Sequence, residues 1–176
     1  MSQSKDEVKS YLLIDTCVIQ YVATKDVDLA VNEYLLEIKS RGFDFVISDI
    51  STYESLQGVS AQKENELLSL LNSLDRYPID ANTLIAAAQI KTLYDLEKVP
   101  QNQISDGDKI IAATSILTGA PIVTSDLNDF PRPYFVELER KNIIYKHKNV
   151  DRMIPIYILS PNIDVVNHRF SIRPKT

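Results

Sequence analysis

Residues 104–130, ISDGDKIIAATSILTGAPIVTSDLNDF, constrain the fold more than any other part of the chain. Asp106 and Asp108 open a helix there. Ile110, Ile111, Ala113 and Leu117 recur at the i, i+3, i+7 spacing of one apolar helix face. Gly119 ends that helix, because glycine takes the left-handed cap conformation without steric cost. Residues 121–124 then read as a short buried strand, and residues 125–129 leave its carboxyl end carrying two aspartates. Taken singly, each acid has an ordinary structural explanation. Asp caps helices and suits their dipole, and Asp after a strand is common turn chemistry. What would single out a site is more acid at equivalent strand ends, since open α/β sheets bind ligands outside the carboxyl ends of their strands.

The upstream chain supplies it. Residues 11–14 (YLLI) form a continuous apolar run, the signature of a parallel strand buried on both faces, and end at Asp15. After a helical turn at residues 18–23, residues 26–40 read as a helix with Leu29, Val31, Leu35, Leu36 and Ile38 on its apolar face. Residues 43–47 (FDFVI) are a second strand, followed by Ser48 as N-cap and a helix carrying Glu54. Residues 61–74 are a helix with Leu67, Leu68, Leu70, Leu71 and Leu74 inward, and residues 77–79 a brief strand. Residues 82–98 are a helix with Leu84, Ile85, Ala88, Leu93 and Leu96 inward, and residues 100–103 a loop. After Pro131 and Pro133, short strands are expected at 134–138, 142–145 and 154–159, extending one sheet edge. Strands alternating with helices predict an α/β fold with a central parallel sheet covered on both faces. Residues 1–10 read as a polar segment, 11–160 as one domain and 161–176 as a loose tail.

Bulk properties narrow the class. At 176 residues and 44% hydrophobic content, a single domain with a real core is expected. One cysteine, Cys17, cannot pair internally and reads as a small buried apolar residue, which suits a reducing cytoplasm. Residues 1–10 lack the apolar core of a signal peptide, and the run at 11–23 is too short to span a bilayer, so no membrane partner is expected. The net charge of −5 argues against a broadly basic nucleic-acid binder. Residues 131–176 nevertheless hold nine Lys/Arg and four Asp/Glu, against ten and twenty in residues 1–130. An acidic body beside a basic region suits a cation site next to a phosphate-binding surface, and equally a lysine-protected sheet edge.

If the strands are parallel, Asp15, Glu54, Asp108 and Asp126 converge on one edge. Two like charges about 4 Å apart cost roughly 4 kcal/mol at an effective dielectric near 20. Such a cluster takes up protons or binds a divalent cation. Oxygen ligands without His or Cys favour Mg²⁺ or Mn²⁺, which suits phosphoryl chemistry.

Four segments, LIDTCVIQY, ISDISTYESL, DGDKIIAAT and IVTSDLNDF, resemble the PIN-domain ribonucleases, among them the VapC-like toxins of toxin–antitoxin pairs. The resemblance spans about residues 11–140. It implies a three-layer α/β/α domain, to which this chain adds C-terminal strands, and a metal site at Asp15, Glu54, Asp108 and Asp126, with Asp129 as an additional member. The Asp-x-x-Ile-x-Ala pattern selects Asp108 over Asp106. Thr16 and Thr124 resemble hydroxyls flanking the family's metal site, and Ser48 its helix-starting serine. The resemblance further implies metal-dependent cleavage of single-stranded RNA, frequent homodimers and, for the toxins, an antitoxin partner. Arg132, Lys141, Lys146 and Lys148 are the cations expected to meet RNA phosphates. His147 and His168 are read as exposed rather than catalytic. This chain is longer than a compact toxin and generous between Glu54 and Asp108.

Rival readings differ in testable ways. A PIN-fold module that binds RNA or a partner without turnover has no reason to keep four like charges together. A Mg²⁺-dependent phosphatase would want Asp-x-Asp at the first strand, where Asp15 is followed by Thr16-Cys17. A receiver domain would want an acidic pair there and a late Lys after a strand, and neither is present.

Overall fold

The computed structural model of the protein describes residues 10–100 and 104–172. Most of the segment expected at residues 1–10 and of the loop at 100–103 lies outside that range. The elements, in chain order, are β1 (Ser10–Ile14), α1 (Thr16–Val22), α2 (Asp28–Ser40), β2 (Phe43–Ser48), α3 (Asp49–Leu56), α4 (Ala61–Asn72), β3 (Asp75–Tyr77), α5 (Ala81–Leu96), α6 (Asp106–Thr118), β4 (Ile122–Thr124), β5 (Phe135–His147), β6 (Val150–Pro161) and α7 (Ile163–Ile172).

Among the described residues the strands form one sheet, ordered β3-β2-β1-β4-β6-β5. The first four run parallel, and β6 and β5 are added antiparallel at one edge. Alternation along the strands splits the core in two. Leu13, Val46 and Ile122 face α5 and α6, with Ile90, Tyr94, Ile111 and Ala113 packed on them. Leu12, Ile14, Ile47 and Val123 face α1, α2 and α4, against Val18, Val31, Ile38 and Leu71. The three-layer α/β/α fold is therefore present. Among the described residues no helix is long and apolar enough to cross a membrane.

Three readings of the sequence are corrected. The apolar faces of several helices are rotated: Leu29, Leu36, Leu84, Ile85, Leu96 and Leu117 are exposed, while Val31, Tyr34, Ile38, Ala87, Ile90 and Tyr94 are buried. Helices against a parallel sheet need only a narrow buried stripe, so an apolar residue beside it stays in solvent. The three short strands expected after residue 133 are instead two long ones forming a hairpin, with a bulge between Glu137 and Glu139. Its two-residue turn has Lys148 at φ 49° and Asn149 at φ 62°, the left-handed pair of a type I′ turn. The loose tail is in fact α7 over residues 163–172: Val166 is buried in the α5/α6 layer, and Arg169 pairs with Glu97 at 2.6 Å.

Ile111 and Leu117 lie on the same helix, with relative exposures of 0% and 53%. Ile111→Ala is expected to cost about 2–5 kcal/mol in urea denaturation, and Leu117→Ala less than about 0.5 kcal/mol. Equal losses would show that the buried stripe of α6 is misplaced.

Candidate active site

β1 ends because its apolar run stops, and Asp15 leaves it as the N-cap of α1. Its backbone N–H donates to the Val123 carbonyl at 3.0 Å, so the residue sits where β1 and β4 end side by side. Asp15 is 3% exposed. Thr124 Oγ1 donates to its Oδ2 at 2.6 Å, and Cys17 Sγ donates to the same oxygen at 2.9 Å. Burial raises the Asp15 pKa, those two bonds oppose the rise, and Asp108 adds to it. Burial, and then Asp15 itself, push the Cys17 thiol up to about 12. Cys17 is thus a neutral donor at physiological pH rather than a nucleophile.

Glu54 arrives from α3, which starts at Ser48 directly after β2. Thr16 Oγ1 donates to Glu54 Oε2 at 2.7 Å. Burial raises Glu54, the Thr16 bond opposes it, and Asp108 and Asp15 raise it further. The α6 backbone approaches so closely that a Cβ on Gly107 would overlap the Glu54 carboxylate. Gly107 is therefore part of the site's architecture, and its signal in the sequence was a glycine between two acids at a helix start. Ser48 was expected to cap α3 with its side chain. Instead its hydroxyl joins those of Ser51, Thr52 and Ser55 in a buried stripe without hydrogen-bond partners. Small side chains at these positions let α3 lie close to α1 and α6.

Ser105 is the N-cap of α6. Its Oγ accepts from Asp108 N at 3.0 Å, and Asp108 Oδ2 accepts from Ser105 N at 2.9 Å, a reciprocal capping box. Asp106 turns to solvent and pairs with Lys109 Nζ at 3.0 Å. Asp108, not Asp106, is the acid coupled electrostatically to Asp15, Glu54 and Asp129.

After β4, Asp126 N donates to Thr124 Oγ1 at 3.0 Å, while the Asp126 carboxylate accepts from Asn128 N at 2.8 Å and Asn128 Nδ2 at 2.9 Å. That local turn occupies one Asp126 oxygen. Asp129, three residues on, is half-buried and pushed up to about 7, first by burial and then by Asp108, Asp126, Asp15 and Glu54. The carboxylate coupled to all the others is thus Asp129, which the motif ranked behind Asp126.

The expected RNA contacts divide. Lys141 faces α2, where it pairs with Glu37 at 3.2 Å and lies 5.6 Å from the Tyr34 ring centre. Its charge is already engaged, because strand alternation turns it toward the helix layer. Lys146 and Lys148 lie exposed at the end of β5 and in the hairpin turn, and Arg132 is exposed in the loop before β5. His147 pairs with Asp26 at 3.0 Å, and His168 is exposed on α7.

Burial and neighbouring acids raise the pKa of Asp15, Glu54 and Asp129, while Asp15, Glu54 and Asp108 each lean on a neutral donor. Among the described residues no group of three His, Cys, Asp or Glu side chains is arranged to hold a metal ion by itself. An oxygen-only set of this kind fits Mg²⁺ or Mn²⁺, because Mg²⁺ keeps several waters and takes one or two carboxylates.

The PIN domain family matches residues 12–136. A search of curated proteins finds no match. Similar solved structures include VapBC2 of Rickettsia felis bound to a promoter DNA fragment, 20% identical, TM-score 0.55, covering 66% of this chain and 88% of that one. A toxin–antitoxin complex of Klebsiella pneumoniae is 18% identical, TM-score 0.54, covering 69% and 92%. DNA-bound VapBC of Salmonella typhimurium is 21% identical, TM-score 0.55, covering 71% and 92%.

Asp15, Glu54 and Asp129 hold protons more tightly folded than unfolded. Their contribution to stability is therefore full below the ordinary carboxylate range and is lost as pH rises, for Asp129 through about 7. In EDTA the melting temperature is expected to fall between about pH 5 and pH 8, and Asp129→Asn is expected to flatten that slope. A melting temperature that climbs over this range would contradict the crowding.

Proposed function

The chain belongs to the PIN-domain family, and on that premise we propose that it is a divalent-metal-dependent endoribonuclease that cuts single-stranded RNA. The observation that carries this reading is the coupled set Asp15, Glu54, Asp108 and Asp129 at the carboxyl edge of the parallel sheet. Four mutually repelling acids weaken the fold and have no structural purpose in common. A divalent ion would relieve them.

Asp15 and Asp108 are the principal ligands in this reading, with Glu54, Asp126 and Asp129 completing the site or orienting water. The bound ion supplies a lowered pKa for its water and charge stabilisation on the phosphate. The chain's own residues do the rest. Thr124 and Cys17 fix the Asp15 carboxylate. Thr16 fixes Glu54, and the Ser105 cap fixes Asp108. Acids alone would repel a phosphodiester, so the reading requires cation-dependent turnover.

A protein partner is part of the proposal. The similar structures are toxin–antitoxin complexes, and α2 turns Leu29 and Leu36 outward. With α4 it walls an apolar groove that includes Leu35, Leu36, Leu70 and Leu74, a face of the kind partners cover. We read the chain as a cytoplasmic toxin held by an antitoxin, and a homodimer is compatible with this. A PIN-fold module that binds without turnover is the rival, favoured by the lack, among the described residues, of a ready three-ligand grouping.

The cleavage assay separates the two. Wild type is expected to cut a mixed RNA pool in Mg²⁺ or Mn²⁺ and to stop in EDTA. Asp15→Asn and Asp108→Asn should each lose on the order of a hundredfold or more with unchanged circular dichroism, and Asp106→Asn should stay near wild type. An Asp108→Asn protein as active as wild type would end the nuclease reading. Metal at 100 times its dissociation constant should also add about 2.7 kcal/mol of stability, and Asp108→Asn should blunt that gain.

A further inference from the structure

The hairpin β5–β6 lies almost wholly beyond the matched family region, which ends at residue 136. Its register says where it goes. Tyr157 pairs with Thr124, the last residue of β4 and the hydroxyl that holds Asp15. Residues 150–156 of β6 therefore run past the carboxyl edge of the sheet, about 3.3 Å per residue and roughly 23 Å in all. The hairpin is an arm rising beside the acidic cluster.

Its two faces differ. Ile143, Ile154 and Ile156 point into the α1/α2 layer, and on the same side Glu139, Lys141 and His147 are paired with Arg41, Glu37 and Asp26. That face is built into the fold. The opposite face carries the paired positions Arg140 and Tyr157, Ile144 and Met153, Lys146 and Asp151. Tyr157 packs in the α5/α6 layer, so this is the side of the sheet from which α6 brings Asp108. Past the sheet edge nothing among the described residues covers it: Ile144 is 68% exposed and Met153 57%. The Arg140 guanidinium stands 5.5 Å from the Tyr157 ring centre. Among the described residues neither Arg140, Lys146 nor Lys148 is in an ion pair. Between Arg140 and Arg152 the chain holds five Lys/Arg and one Asp, in a protein of net charge −5.

We propose that this outer face of the β5–β6 arm is a binding track for single-stranded RNA leading to the acidic site, with the exposed Arg140 guanidinium, seated over the buried Tyr157 ring, and the Ile144/Met153 patch contacting bases and Lys146 and Lys148 contacting phosphates. This rests on the ribonuclease reading above. The chemistry matches that class of ligand. Single-stranded RNA exposes base faces that stack on guanidinium planes and apolar surface, and a groove for such strands combines stacking platforms with a cationic path. The arm supplies both on one strand face, where the rest of the molecule is acidic. In a twofold pairing of this face with itself, a second copy would cover the apolar patch but set the same cations against one another.

The test is fluorescence anisotropy with a labelled single-stranded RNA and the full chain in EDTA, where cleavage is off. Ile144→Asp and Arg140→Ala are each expected to weaken binding about tenfold. Lys146→Gln with Lys148→Gln should lower the slope of log affinity on log salt by about 1.4. These positions are exposed, so melting curves should match wild type. Unchanged affinity in all three variants overturns the track, as does a wild type that does not bind. If Ile144→Asp instead converts a dimer to a monomer in light scattering with RNA affinity intact, the face is a self-association surface and the proposal fails. The site reading fails separately, through active Asp108→Asn. Weak-binding arm variants beside that outcome would leave a track without a nuclease.

Discussion

Burial of a carboxylate at the end of β1 is the constraint on which the arrangement of the acidic edge depends. A buried carboxylate cannot stay ionised without partners, and Asp15 is given a hydroxyl from β4 and a thiol from α1. Those two donors are neutral, so they anchor the acid without cancelling its charge. Glu54 receives a hydroxyl and Asp108 a backbone N–H on the same plan. A lysine in any of these places would cancel the charge that a neutral donor leaves in place. Lys109, next to Asp108 in sequence, is largely buried and is instead paired with the exposed Asp106. Neutral anchoring holds these acids in place without cancelling their charge, on carboxylates supplied by a strand end, a helix interior and a helix cap.

Much of this was legible in the chain. Continuous apolar runs ending in acid at Ile14 and Thr124 fixed the parallel order of β1 and β4, because a strand buried on both faces needs a layered fold. Gly119 marked the end of α6 correctly, with φ 73°. Other features were beyond linear pattern. The turn in which Asn128 donates to the Asp126 carboxylate is one of them, because spacing alone does not reveal it. The rotated faces of α2 and α5 arise from which residue meets the sheet. The hairpin was missed because its charged outer face interrupts the alternation that signals a strand, and α7 because its buried stripe is little more than Val166.

The arm also shows how a common domain is extended. β6 adds antiparallel to β4, so the parallel sheet gains an edge without a further crossover helix. The bulge at Glu137/Glu139 shifts β5 by one residue. Glu139 thereby turns toward Arg41 and Tyr34, while Arg140 turns toward Tyr157. One extra residue decides which charges are consumed by the fold and which remain outside it.

The bond between Thr124 and Asp15 joins residues 109 apart in sequence. On a ribosome adding about 5–20 residues per second, β1 therefore waits roughly 5–20 s for β4 to emerge. Until then one edge of β1 is open, Asp15 lacks its hydroxyl, and neither Asp126 nor Asp129 has been made. Through that interval the nascent chain has α1–α5 and β1–β3 available to fold and the acidic centre incomplete. The strand order thus acts as a timer: whatever this edge does chemically, it begins only after β4 has emerged.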